Sequence, residues 1–252
     1  MVSMSPSPSD PPGSAASPPT DSRPGTGPGA GPSLVLEDLE AVADLERFAT
    51  RAKSISDTGT RLQVAGAVLA NWVSVLHPRG LGDQVPVVLG LRTVRLAEGR
   101  QDGLDNVYAI SSVLERLARM GTTGSTAFTL PPVTENVPWT AVTPPRSGWT
   151  PVATVEDGEL QSVARDGIRE LADALPQDPG ASMVAQARAA VWGRLLGSDP
   201  SGEGFLPAGA AFAAYSLGFL TPQGTTAVHT SGPWVRLSGP AGYVLCRRPM
   251  LV

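Results

Sequence analysis

Two kinds of apolar periodicity alternate along this chain, and their alternation limits its possible folds more than any other feature. From Val35 to Ala52, apolar side chains recur at three- and four-residue steps, which is typical of one buried helix face. From Arg61 the sequence changes to Val- and Leu-rich runs, which predict strands over residues 62–76 and 85–96. A chain of this kind is neither all-helical nor all-β, so we expect an α+β fold.

The rest of the first half predicts short elements of both kinds. The further predicted strands are residues 107–110, 127–130 and 137–142. Ser112 and Glu115 have the spacing of a capping box, which predicts a short helix through Met120. We therefore expect an N-terminal helix-plus-antiparallel-sheet domain over residues 34–143.

The second half predicts three helices followed by a β-meander. The helical stripes cover residues 160–175, 184–195 and 208–219, and the strands cover 227–230, 234–237 and 243–246. Three helices before a small antiparallel meander are typical of a winged-helix-like module. We expect such a C-terminal domain over residues 151–252, joined to the first by a Pro- and Gly-containing linker over residues 144–150.

The first 33 residues differ from the rest in composition. They contain 9 Pro, 8 Ser and 5 Gly and no aromatic residue. Such a segment buries too little apolar surface to offset its chain entropy, so we expect residues 1–33 to form a disordered tail.

Residues that do reactive chemistry are scarce. The chain has two histidines, one cysteine and one lysine, beside 18 arginines. Acid–base, nucleophilic and metal chemistry draw heavily on His, Cys and Lys. We therefore expect no catalytic residue, no metal site and no cofactor, which favours a protein that is not an enzyme without excluding one. The single cysteine, Cys246, lies in a predicted strand and is expected to be a small buried side chain.

The charge distribution argues against nucleic acid and the hydropathy against a membrane. The net charge is −4 and no segment forms a basic stripe. Residues 204–227, which include the third predicted helix, contain no charged residue and a single amide, Gln223. Arg236, Arg247 and Arg248 are the one basic surface left for a nucleic-acid alternative. The longest uncharged apolar stretch, Phe205–Leu220, is shorter than the roughly 20 residues that a bilayer requires.

Two segments are candidates for contact with a ligand or a partner. Residues 77–83 bring His77, Arg79 and Asp83 together in a Gly-containing loop, where the arginine can hold an anion and the histidine can act as a base. The alternative is a structural turn with an ion pair across it. Trp192 and Arg194 can form a stacking surface, and the alternative there is a core tryptophan beside a helix-ending arginine.

These observations lead to one functional hypothesis and two alternatives. The leading hypothesis is a non-enzymatic cytoplasmic interaction or regulatory protein with another protein as its partner, in an oligomeric state that the sequence leaves open. The first alternative is a small-molecule-binding protein or enzyme that uses the His77–Asp83 loop. The second is a weak nucleic-acid-binding regulator.

Several short runs of sequence resemble those of a known family. The runs are His77–Asp83, Val88–Thr93, Val137–Trp139, Pro144–Arg146, Val191–Arg194 and Leu206–Phe212. With them the chain resembles a family of conserved actinobacterial proteins of unknown function, over roughly residues 35–248. That family carries no assigned activity, so the resemblance implies no site.

Overall fold

The computed structural model describes residues 32–78, 85–98, 103–197 and 206–247. The helices are α1 (Leu39–Ile55), α2 (Ile110–Thr123), α3 (Asp157–Ala174), α4 (Ala181–Trp192) and α5 (Ala208–Ser216), and a 3-10 helix covers Pro138–Ala141. The strands are β1 (Ser33–Leu36), β2 (Thr60–Ala65), β3 (Val68–Leu76), β4 (Val87–Glu98), β5 (Asp105–Tyr108), β6 (Ala127–Thr129), β7 (Thr150–Glu156), β8 (Leu195–Leu196), β9 (Leu206–Pro207), β10 (Thr225–Ser231), β11 (Trp234–Gly239) and β12 (Gly242–Arg247). In these residues no helix is both long and apolar enough to cross a membrane.

One antiparallel sheet runs through both halves of the described chain. Its strand order is β5-β2-β3-β4-β12-β11-β10-β7, with β1 paired to β4 and β6 beside this path. The halves join where β4 pairs with β12, and Leu89 there lies opposite Leu245. The predicted α+β class with an antiparallel sheet is confirmed. The winged-helix-like C-terminal domain is wrong, because the meander β10-β11-β12 continues a large sheet instead of forming a small wing.

The helices pack on one face of this sheet and enclose the main core. α1 buries an apolar face that includes Val42, Leu45 and Phe48, as its periodicity predicts. α5 consists mainly of Ala and Gly, and these small side chains let it pack closely on β3, β4 and β12. The approach is so close that a Cβ on Gly90 of β4 would lie 2.3 Å from a side-chain atom of Leu217.

The same order of elements occurs twice along the chain. A strand, a helix and a three-stranded meander appear as β1-α1-β2-β3-β4 and again as β7-α3-β10-β11-β12, with α4, β8, β9 and α5 inserted in the second. The last strands of the two meanders, β4 and β12, pair antiparallel with each other. The two units share this order but not every pairing, since β1 pairs with the last strand of its meander, β4, and β7 pairs with the first strand of its own, β10.

Some predicted element boundaries are wrong for local reasons. The first helix begins at Leu39 rather than near residue 35, because the side chain of Asp38 accepts a hydrogen bond from the Ala41 N–H at 2.7 Å and caps it there. The predicted capping box at Ser112 is absent, since the cap residue of α2 is Ala109 and makes no side-chain hydrogen bond.

Two further differences concern the middle of the chain. Residues 137–142 form the 3-10 helix instead of a strand, with Pro138 at its start. The final residue of the predicted linker, Thr150, opens the unpredicted strand β7. Most of the predicted tail, residues 1–31, lies outside the described residues, and Ser33 already belongs to β1. The division into independently folding domains stays a prediction.

Candidate functional site

The sheet face opposite the helices carries most of the tryptophans of the chain. Strand alternation places the side chains of β4, β11 and β12 on two faces, and those pointing away from the helices form a second, smaller core. Its members and close neighbours include Trp72, Trp139, Trp149, Trp234 and Tyr243. We call this surface the outer face. Four of the five tryptophans therefore lie outside the main core.

The segment predicted as a linker lies across the outer face. The indole N–H of Trp139 donates to the Thr58 carbonyl oxygen at 2.9 Å, and the Trp139 side chain is buried. The indole N–H of Trp149 donates to the Pro145 carbonyl oxygen at 3.1 Å. The first bond ties the segment to the residues just before β2, the second holds the Trp149 ring within the segment itself, and both rings pack with the smaller core. Residues 137–149 therefore contribute to a surface rather than only connect two domains.

An arginine stacked on this surface is the centre of the candidate site. The guanidinium carbon of Arg236, in β11, lies 4.6 Å from the ring centroid of Trp149 and 5.7 Å from that of Tyr243. Arg236 Nε donates to Ser238 Oγ at 3.0 Å, and the same oxygen lies 3.3 Å from His229 Nδ1. We call these five residues the Arg236 cluster. Register explains the grouping, since His229 is directly opposite Arg236 in the β10–β11 ladder.

The charge of Arg236 has no acidic partner in the described part of the chain. Five ion pairs occur there, and none of them includes Arg236. Burial lowers the pKa of Arg236, an effect that the nearby Tyr243 partly opposes. A half-buried cation of this kind favours the approach of an anion.

A second charged group on the outer side has its partners already. Arg61 Nη2 donates to Asp105 Oδ2 at 2.6 Å, and Gln63 Nε2 donates to the same oxygen at 2.8 Å. The hydrogen bond from Arg61 holds the pKa of Asp105 below its usual value, and it raises the pKa of Arg61. Arg61 Nη1 also donates to Thr143 Oγ1 at 3.3 Å, so this group fastens the 137–149 segment to the sheet.

The predicted His77–Asp83 site is described only in part. His77 follows β3, and its Nδ1 lies 2.9 Å from Ser74 Oγ. It lines a cavity of about 150 Å3 together with Arg188 of α4. Arg79 and Asp83 lie outside the described residues. Contact of a ligand or partner with this loop stays a prediction.

The structure separates Trp192 from the surface. Trp192 is 1% exposed and stacks on Phe212 with the ring centroids 4.5 Å apart, in line with the core alternative. Arg194 is exposed, and its Nη2 donates to Glu170 Oε2 at 2.8 Å. The two residues therefore do not form one exposed stacking surface, and a partner contact at Arg194 stays a prediction.

Two of the three arginines of the nucleic-acid alternative share the outer face. Arg247 lies opposite Trp234 in the β11–β12 ladder, and Trp234 is two residues from Arg236 in β11. Arg248 lies outside the described residues. The alternation of side chains along β11 could have predicted that Trp234 and Arg236 share a face. No local sequence pattern predicts the contact between Trp149 and Arg236.

Cys246 is buried on the helix side of β12, as the sequence predicts. Burial raises the pKa of its thiol far above the usual value. The thiolate is the reactive form of cysteine, so Cys246 is a packing residue in the folded protein.

Two family models match consecutive parts of the chain. Residues 30–141 match a domain of unknown function (DUF8010), and residues 144–251 match another domain of unknown function (DUF8185). Among the curated proteins, no sequence matches the chain.

Solved structures of sliding clamps resemble the chain in fold. A DNA polymerase III beta subunit from Borrelia burgdorferi, in complex with a natural product, is 8% identical with a TM-score of 0.50, and the match covers 85% of this chain and 64% of that one. A protein from Eubacterium rectale described as a DNA polymerase III beta subunit is 7% identical with a TM-score of 0.52, and the match covers 87% and 65%. A DnaN sliding clamp (DNA polymerase III subunit beta) from Pseudomonas aeruginosa is 11% identical with a TM-score of 0.46, and the match covers 93% and 69%. The chain thus spans about two thirds of the length of these proteins.

This similarity corrects the function predicted from the sequence. The functional hypothesis from the sequence, a non-enzymatic cytoplasmic interaction or regulatory protein with its two alternatives, is wrong as stated, because the solved structures that match this chain are DNA polymerase III beta sliding clamps and none of the three predicted a sliding-clamp-like fold. The two domain matches fit an uncharacterised family, and this chain has a sliding-clamp-like fold.

Proposed function

We propose that this chain is a sliding-clamp-like binding protein and that it holds a protein partner rather than DNA. The sliding-clamp-like fold, which extends over 85–87% of the chain in the two stronger matches, is the observation that carries this proposal. The choice between the two classes of partner rests on charge.

The helix layer has too little positive charge to favour DNA. Helix α1 has three acids and three bases, and α3 has five acids against two arginines. Over the five described helices there are nine acids and eight bases. DNA binding depends on the neutralisation of phosphates by Lys and Arg, and this layer provides no excess of either.

The outer face has the residue types that protein interfaces favour. Trp, Tyr and Arg are enriched at interfaces and supply most of their binding energy. The Arg236 cluster combines all three types against one sheet face, with Trp149 and Tyr243 only partly buried. This composition supports contact between the outer face and another protein.

DNA is the second candidate because of two arginines. Arg236 and Arg247 lie on neighbouring strands of one sheet face, and two cations side by side can contact a phosphate backbone. The names of the similar structures also refer to a DNA polymerase. The nearly neutral helix layer weighs against this candidate.

One experiment separates the two candidates. The tagged full-length chain is captured from its native cells with and without nuclease, and each co-purified protein is then mixed with the chain in purified form. In parallel, anisotropy measures its binding to a labelled duplex of about 30 base pairs at several salt concentrations. We expect a purified partner to bind stoichiometrically whether or not nuclease was used. Duplex binding with a steep salt dependence, together with partners that disappear after nuclease treatment, would replace the protein candidate by DNA.

The proposal also covers the compartment, the source of the family and a second contact. We place the protein in the cytoplasm because its single cysteine suits a reducing compartment. We place the family in actinobacteria on the resemblance given above. The His77–Asp83 loop is a further proposed contact, and the same capture with a His77→Ala variant tests it.

A further inference from the structure

We infer that the Arg236 cluster binds a carboxylate of the partner, namely an Asp or Glu side chain in an acidic segment of a protein. This inference rests on the proposed function, because it names the chemistry of the protein that the clamp-like chain holds. The orientation of the guanidinium, its missing counter-charge and the aromatic face that it covers all support it.

The guanidinium of Arg236 is held in one orientation before any ligand arrives. One side lies over Trp149, whose own N–H is bonded to the Pro145 carbonyl, and Nε is bonded to Ser238 Oγ. Neither stacking nor the Nε bond uses the two Nη atoms. No acceptor for these atoms occurs among the described residues. A planar fork fixed in this way matches the two oxygens of a carboxylate and loses little side-chain entropy on binding.

Comparison with other arginines shows that this one lacks a counter-charge. Arg61, Arg92 and Arg194 each pair with a carboxylate of the chain. Arg236 is partly buried, and the neighbours that the structure gives it are two aromatic rings and a serine. Burial of a cation beside neutral groups costs free energy, which also explains why its pKa is lowered. An incoming carboxylate supplies the missing charge.

A protein carboxylate fits this cluster better than single-stranded nucleic acid does. Proteins bind single strands by stacking successive bases on exposed aromatic faces. Here the Arg236 guanidinium lies over Trp149 at 4.6 Å and occupies one face of the ring on which a base would otherwise stack. One oriented fork suits one carboxylate, whereas a nucleic-acid backbone requires a series of cations.

Titration of the full chain with acidic and neutral peptides tests this assignment. The probes are blocked tetraglutamate and blocked tetraglutamine, and the readout is the indole N–H signal of Trp149 in a 15N-correlated NMR spectrum, assigned with a Trp149→Phe variant. We expect tetraglutamate to shift this signal saturably and tetraglutamine to leave it in place.

Matched variants show whether the effect belongs to Arg236. Arg236→Gln removes the charge and is expected to weaken tetraglutamate binding by about fivefold or more. Arg165→Gln is the control, because Arg165 also lies over an aromatic ring, 5.6 Å from the centroid of Tyr215, but on α3. Arg236→Lys keeps the charge without the planar fork and is expected to bind with intermediate affinity. It also provides a second variant if Arg236→Gln unfolds.

Four outcomes would overturn the inference. They are an equal response to both peptides, equal weakening by the Arg236 and Arg165 variants, no response to tetraglutamate, and tighter binding of an oligothymidine of about 15 nucleotides. The last outcome would assign the cluster to nucleic acid. A partner that binds the Arg236→Gln variant as tightly as the wild type would also remove this site but leave the proposed function in place. Absence of any protein partner would remove the proposed function itself.

Discussion

The side chain of Asp157 offers a sharp test of how the second half of the sheet is held together. Asp157 begins α3 and is fully buried. Its Oδ2 accepts from the Thr221 N–H at 2.7 Å and from Thr221 Oγ1 at 3.1 Å, and its Oδ1 accepts from Thr226 Oγ1 at 2.6 Å. These bonds join the start of α3 to the turn before β10 and to β10 itself.

We expect Asp157→Ala to destabilise the fold strongly. Hydrogen bonds to a charged group contribute about 1.5–3 kcal/mol each, and their loss here also leaves buried donors unsatisfied. Because the three bonds share one carboxylate and are not additive, we expect a loss of about 4 kcal/mol in the free energy of unfolding. For a chain of this size that corresponds to a decrease of about 8–16 °C in Tm.

Urea unfolding followed by circular dichroism measures this loss, and two further variants serve as controls. Asp157→Asn can turn its amide so that the oxygen accepts from Thr221 while the NH2 group donates to Thr226 Oγ1, so we expect less than half of the alanine effect. Asp166→Ala removes an exposed acid from the same helix and is expected to stay within about 0.5 kcal/mol of the wild type. An alanine effect below about 1 kcal/mol at position 157 would refute the role assigned to this carboxylate.

Three other predictions follow from single groups. Because Arg61 holds the pKa of Asp105 below its usual value, this pair stabilises the fold fully above the unfolded pKa of about 3.9 and loses its effect as the pH falls through the folded pKa. In Asp105→Asn the free energy of unfolding should therefore decrease less steeply as the pH is lowered through this range. Cys246 should resist a thiol reagent in the native protein and react at once in denaturant, and rapid native labelling would contradict its burial. Gly90→Ala should cost about 1–3 kcal/mol in a thermal melt, because its Cβ would overlap the buried Leu217 side chain, and an unchanged Tm would show that this side chain can move aside.

Local pattern predicted the elements that bury one face. Helix α1 and strands β10, β11 and β12 were found because their apolar residues alternate with the period of the element. Strand β7 was missed because it lies at the edge of the sheet and six of its seven side chains are exposed, so it has no buried face to give an apolar period. The 3-10 helix at residues 138–141 looked like a strand because Val137, Trp139 and Val142 are apolar.

Long-range pairing could not be predicted from such patterns. The run that ends in Leu245 reads equally well as the last strand of a small wing or as the neighbour of β4, and only the β4–β12 ladder joins it to Leu89. The winged-helix-like expectation failed at this step. The same limit applies to the candidate site, since Trp149 and Arg236 are 4.6 Å apart in space but belong to segments that the sequence assigned to a linker and a meander.

The Arg236 cluster gives the excess of arginine over lysine in this chain a structural consequence. The chain has 18 arginines and one lysine, and GC-rich coding alone would account for that ratio without reference to function. On the outer face, however, the difference between the two residues is physical. A lysine ammonium is a strongly hydrated point charge, whereas a guanidinium can lie flat on Trp149 and still direct a planar pair of donors outward. If charge alone bound the partner, Arg236→Lys would leave the affinity for acidic peptides unchanged. If the oriented fork binds it, the same variant must weaken acidic-peptide binding while the fold and the net charge stay as they are.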